Sequence, residues 1–165
     1  MTLHNSAACS TSTSLPAALL LAALIICAQP IAAQVDACAL VKASDVEVLL
    51  GGASTPTPAP KGTTCAWKTA DPKRKLAVLT YSNRAPGEMV FGGARKGAEA
   101  DAESKIADES GIGDKAFSIT PSFGAVFVMM KGGRVLQLQL VTGNRGTAAD
   151  RDALRVVARK AVAAF

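Results

Sequence analysis

Histidine is nearly absent from this chain of 165 residues, with His4 the only one. Residues 1–33 hold no Asp, Glu, Lys or Arg, so all 18 basic and all 13 acidic residues fall in 34–165. If that first stretch is an export signal, as its pattern predicts, the mature chain has no imidazole. Ser-His-Asp and Cys-His catalysis and zinc-hydrolase sites are then excluded. The histidine-free acyl-transfer motif S-x-x-K is missing too. Aromatic residues are scarce, at 4% of the chain with one Trp and one Tyr, which leaves little to stack on bases, and no nucleic-acid partner is expected. Only one apolar run is long, and it lies at the extreme N-terminus, so a polytopic membrane protein is excluded as well.

That run, residues 15–28, has the length of a signal-peptide core and is broken by Gln29-Pro30 before it reaches the ~20 residues a spanning helix needs. Ile31-Ala32-Ala33 ahead of Gln34 fits a cleavage signature. The sequence therefore predicts a signal peptide over 1–33, cut between Ala33 and Gln34, and one domain over 34–165. The alternative is a lipid anchor through Cys27, but the bulky Ile26 before it is a poor fit to the lipoprotein peptidase. A secreted or periplasmic address is the expectation. The remaining 132 residues, 165 less 33, carry 18 − 13 = +5. That length makes one ordinary domain.

Two cysteines remain after the signal, Cys38 and Cys65. An even pair in an exported domain reads as a disulfide. Without histidine the pair cannot complete a zinc site, and there is no C-x-x-C redox motif.

Along the mature chain, Ser44 and Glu47 stand at capping-box spacing ahead of Gly51, predicting a short helix with Val46, Leu49 and Leu50 turned inward. Residues 51–62 carry three alternating prolines and read as an extended surface loop. Strands are expected at 64–69 and 75–82, joined by a charged hairpin tip, and Trp67 and Tyr81 would pack together across them. A helix begins after Pro86, weakened by Gly92, Gly93 and Gly97. The acidic stretch 99–109 reads as solvent-facing. Strands follow at about 116–120, 124–130 and 134–141, with Gly132-Gly133 turning the last hairpin. Residues 147–165 place Leu154, Val157, Ala158, Ala161, Val162 and Phe165 on one helical stripe. The fold class is therefore α+β: an antiparallel sheet of about five strands built from hairpins, packed by a short N-terminal helix, a middle helix and a C-terminal amphipathic helix.

Taken together, Asp36-x-Cys38-x-Leu40, Ser44-Asp45-x-Glu47, Leu50-Gly51, Cys65-x-Trp67, Gly111-x-Gly113-Asp114-x-Ala116-Phe117 and Lys131-Gly132-Gly133 resemble the small exported or lipid-anchored bacterial envelope domains of unknown function known best from actinobacteria. The resemblance covers nearly all of 36–165 through short structural motifs. It implies an envelope location and an α+β domain, and it supplies no catalytic residue. Many such relatives carry a lipobox cysteine, from which Ile26 marks a departure.

Gly111-x-Gly113-x-x-Ala116 formally matches a dinucleotide fingerprint, but it opens a strand rather than a helix and reads as a turn. Glu99, Asp101, Glu103, Asp108, Glu109 and Asp114 lack the ligand order of a calcium loop. Met129-Met130 reads as packing rather than as a copper site. The basic excess gathers at Lys73-Arg74-Lys75 and in a stripe of Arg151, Arg155 and Arg159, a candidate patch for an anionic envelope component. No cofactor is called for. The expectation is a non-catalytic exported domain that binds a ligand or another envelope protein, with a small carboxylate-dependent periplasmic hydrolase as the alternative.

Overall fold

The computed structural model describes residues 35–81 and 85–165, and the signal segment, the Ala33–Gln34 junction and Cys27 lie outside them. Seven strands form one antiparallel sheet among the described residues: β1 (Thr55–Pro58), β2 (Thr64–Lys68), β3 (Lys75–Tyr81), β4 (Lys105–Asp108), β5 (Lys115–Thr120), β6 (Gly124–Lys131) and β7 (Arg134–Val141), in the order β1-β2-β3-β7-β6-β5-β4. Three α-helices accompany it, α1 (Ala43–Leu50), α2 (Gly87–Glu99) and α3 (Ala148–Ala164). The α+β class with an antiparallel sheet holds, but the strands number seven rather than about five.

The two strands missed are the edges. β1 runs through the segment expected to be a loop, and every one of its residues is exposed. It survives its prolines because of their spacing. The N–H of Ala59 donates to the carbonyl of Thr64, so odd-numbered residues face β2 while Pro56 and Pro58 turn their nitrogens to the open edge. Proline on that side loses no ladder bond and denies a docking strand its donors. β4 lies inside the acidic stretch read as solvent-facing, pairing Ile106 with Ile119 and Asp108 with Phe117. Four residues with charges at both ends show too little alternation to read as a strand.

Cross-strand partners share a face, so the register divides the sheet into two surfaces. One face carries the row Cys65–Val78–Leu138–Phe127–Ser118. The 3₁₀ turn Ala37–Leu40, α1 and α3 cover it, and together they form the larger core cluster. The opposite face carries Ala66–Ala77–Gln139–Val126–Ile119–Ile106 and, beside it, Leu79–Gln137–Val128–Phe117. There α2 lies over β6 and β7, with Phe91 reaching Phe117 of β5. Trp67 is buried in the first face and pairs with Leu76, whereas Tyr81 lies an odd number of residues from Leu76 and opens on the second. They do not pack together. Met129 and Met130 likewise face opposite ways, each in a different core cluster.

Helix ends differ in how well they match expectation. The α1 N-cap is Lys42, with no side-chain cap bond, and Ser44 falls within the first turn; Gly51, at φ 78°, does end the helix. Glycines do not stop α2, which continues to Glu99. Thr147 and Asp150 form a full capping box at the start of α3. At its end, Lys131 Nζ donates to the carbonyl of Val162 (2.9 Å), and Arg134 donates to that of Phe165.

Gly111-x-Gly113-Asp114 forms a turn that leads into β5. Gly113 sits at φ 63°, and a Cβ there would lie 2.4 Å from the Met130 carbonyl oxygen. The N–H of Asp114 donates to that same carbonyl (2.8 Å), and its carboxylate accepts from the N–H of Gly132 (2.7 Å). The motif clamps the β6–β7 turn onto the entry to β5. Gly113→Ala combines left-handed strain with a backbone clash and is expected to lower stability by about 2 kcal/mol or more, read from urea unfolding midpoints.

Cys38 and Cys65 are bridged, with their Cα atoms 5.0 Å apart, tying the 3₁₀ turn before α1 to β2. The 27-residue separation encloses α1 and β1. Changing both cysteines to Ala should lower unfolding stability by roughly 3–4 kcal/mol on the chain-entropy relation, and a reductant should produce a similar loss in the unaltered protein.

Candidate functional site

Phe91 sets the height of α2 above the sheet. Its ring meets Phe117 edge-on, with centroids 5.0 Å apart and planes at 78°, and it packs among Val126, Val128, Met130 and Val135. Lys115 pairs with Glu88 (2.8 Å), and Arg95 lies over the Phe117 ring at 5.7 Å while pairing with Glu99 (3.0 Å) and Asp108. These contacts hold both halves of the helix, Glu88 and Phe91 the first and Arg95 the second.

Beyond Phe91 the residues facing the sheet are small. Ala94, Gly97 and Ala98 do not fill the space that Phe91 opens, and a groove of about 390 Å³ remains beside the helix. Val126 and Val128 of β6 and Ile119 of β5 form its apolar floor. Gln137 and Gln139 of β7 continue that floor toward Tyr81 of β3, and the Tyr81 hydroxyl donates to Gln137 Oε1 (3.1 Å). Burial raises the Tyr81 pKa, so the phenol is a neutral donor at physiological pH. Pro121 and Phe123 close one end. Phe123 and Tyr81 are 39% and 41% exposed, which makes them the large apolar surfaces at this opening. Asp101 and Ser104 stand on the rim, where Asp101 accepts from Ser104 Oγ (2.7 Å) and from the N–H of Glu103 (3.0 Å).

A second cleft, of about 620 Å³, lies between the end of α1 and the β2–β3 tip. Its one cation, Arg74, donates to the Leu49 carbonyl (3.1 Å) and stands 3.9 Å from Asp150. That arginine satisfies a carbonyl at the C-terminus of α1.

The acidic residues of 99–114 are paired with the protein itself. Glu103 meets Arg145 (3.3 Å), and Asp114 and Asp101 accept the bonds given above. Glu109 is the most buried, with its side chain 7% exposed. It accepts from Arg155 Nε (2.8 Å), from Arg155 at its other oxygen (2.9 Å) and from Ser118 Oγ (2.7 Å). This is a bidentate arginine–carboxylate pair, the strongest geometry available to such groups. It pins α3 to the β4–β5 edge; Glu99, Glu103 and Asp108 are solvent-facing as expected, with side chains 53%, 68% and 75% exposed, while Glu109 turns inward. Among the described residues no group of three or more His, Cys, Asp and Glu is arranged to hold a metal ion.

The three arginines on α3 differ in environment. Arg159 is exposed, Arg151 stands 3.6 Å from Asp152, and Arg155 is spent on Glu109 and on Asp152 (2.6 Å). Its guanidinium also lies 6.0 Å from the centroid of the buried Phe127 ring. Charge within the fold thus balances the central member of the stripe. The groove was not found from sequence. Its signal was the gap in α2, where Phe91 is followed by Ala94, Gly97 and Ala98 at inward spacing.

Compared with known proteins, the chain matches no family model, no curated protein and no solved structure.

Burial alone would raise the pKa of Glu109. The hydrogen bonds from Arg155 and Ser118 and the positive charges of Arg155 and Arg151 outweigh it and leave the carboxyl below its ordinary 4.5. A carboxyl depressed on folding contributes stability that is present above the unfolded pKa and is lost as pH falls through the folded one. Glu109→Gln should therefore cost about 2 kcal/mol at pH 7, and its deficit against the unaltered protein should shrink once pH falls below about 4.5. Urea unfolding of both proteins at neutral and acidic pH measures the gap.

Proposed function

We propose that this is a non-catalytic domain of the bacterial envelope, exported by its N-terminal segment, that binds a ligand or protein partner in the groove between α2 and the sheet. The observation that carries the binding reading is the groove itself: an apolar floor with two glutamine amides and a tyrosine hydroxyl, formed where α2 is held off the sheet and left unfilled. Pockets of a few hundred Å³ with an apolar lining and a few placed polar groups are the usual form of a binding site. The bridge between Cys38 and Cys65 accords with an oxidising compartment. No helix among the described residues is long and apolar enough to cross a membrane. The likeness to small exported envelope domains points to the same address.

The hydrolase reading needs a carboxylate that can accept or donate a proton at an open cleft. Glu109, the most buried acid, is instead neutralised by a bidentate arginine beneath α3.

Nile red, an uncharged dye that fluoresces in apolar surroundings, tests the groove directly. It is expected to bind saturably to the disulfide-bonded protein. Replacing Ala94 and Gly97 together by Leu should weaken it about tenfold with the unfolding midpoint unchanged, because the new side chains enter the empty groove. Dye binding indifferent to that change overturns the reading. So does hydrolysis of chromogenic esters or glycosides that Glu109→Gln abolishes.

A further inference from the structure

We propose that the groove receives an extended, uncharged peptide segment of a partner protein, laid along β7 and held by the side-chain amides of Gln137 and Gln139. This rests on the groove being the binding site, and it names the occupant.

Spacing carries the proposal. Gln137 and Gln139 stand two residues apart on the same face of β7, so their amides recur every ~6.6–6.8 Å. An extended peptide running along β7 repeats its backbone amides at that same interval. Each glutamine has an acceptor oxygen and two N–H donors and can bond one peptide unit. Tyr81 fixes the first amide by donating to Gln137 Oε1, which leaves the N–H groups of Gln137 for a ligand carbonyl. The side-chain amide of Gln139 has no hydrogen-bond partner among the described residues. A hydrocarbon chain has no polar groups to meet this ladder.

The wall of the groove agrees. At Gly97 a Cβ would meet nothing within 4 Å, so a second backbone has room to approach the helix. Charge narrows the occupant further. No Lys or Arg lines the groove, and its single carboxylate, Asp101, stands on the rim, accepting from Ser104 and the Glu103 N–H. An acidic segment would find no cation. A basic one would be desolvated over Val126 and Val128, where the floor carries no carboxylate. The side chains that fit are small, apolar and neutral.

The test pans the full, disulfide-bonded chain against a bead library of heptapeptides capped at both ends. Binding of the best sequence is then measured by fluorescence polarisation. Uncharged central residues should be enriched, and Gly97→Leu and Gln139→Leu should each weaken binding by about tenfold with the unfolding midpoint unchanged. Selection of charged sequences, or peptide binding that ignores both substitutions, overturns the proposal. Nile red and mono-oleoylglycerol provide the control. If both bind in a Gly97→Leu-sensitive manner while no peptide is selected, the groove is a binding site for a neutral lipid and only the peptide inference fails. If neither the dye nor any peptide binds, the reading of the groove falls with it.

Discussion

Every strand of the sheet has two sides to keep from water, and among the described residues three α-helices are available to cover them. Two of these, α1 and α3, lie on one face together with the 3₁₀ turn at Ala37–Leu40, and there the core runs without a break from Cys65 to Phe127. The other face has only α2. It lies over β6 and β7, where Phe91, Phe117, Val126 and Val128 form a second, smaller cluster. Toward β2 and β3 the residues become small or polar (Ala66, Ala77, Gln139, Gln137), so the uncovered part of that face costs little in exposed apolar surface. The groove sits at the boundary between the two regimes.

Charge is used in the same economical way. The chain is basic overall, yet its buried or half-buried charges are matched across elements distant in sequence. Glu109 on the β4 side meets Arg155 on α3, and Asp45 on α1 meets Lys160 on α3 (2.5 Å). The first of these is the costly one to break, because one partner is nearly buried and would be left uncompensated. The second is more exposed and contributes correspondingly less. Arg95 lies over Phe117 and pairs with Asp108 as well as Glu99, and so ties α2 to the edge strand. The acids of the stretch 99–109 are thereby accounted for one by one.

Legibility followed the strength of the local pattern. Alternating Leu136, Leu138 and Leu140 against Gln137 and Gln139 marks β7, and the 3.6-residue stripe of α3 marks that helix to within a residue. Gly132-Gly133 marks the hairpin between β6 and β7. β1 and β4 carry no such pattern. Proline spacing in β1 is compatible with an edge but does not require one, and β4 is four residues whose pairing is supplied by β5. Glu109 looks like its acidic neighbours until Arg155 is brought to it from 46 positions away.

From residue order alone come the class of the fold, the ends of its best-patterned elements, the pairing of Cys38 with Cys65 and the absence of histidine from 34–165. These depend on composition or on interactions within a few residues, which a local pattern records. Tertiary structure alone decided which face α2 covers, which acids are neutralised and where space is left over. Those outcomes turn on side-chain volumes and charges meeting across the sheet. Phe91 lifts α2, while Ala94 and Ala98 leave the space beneath it open, and the row of Gln139, Val126 and Ile119 becomes a floor only because the register of three successive strands aligns them. Space between elements belongs to no stretch of sequence, so it becomes visible only once they have packed.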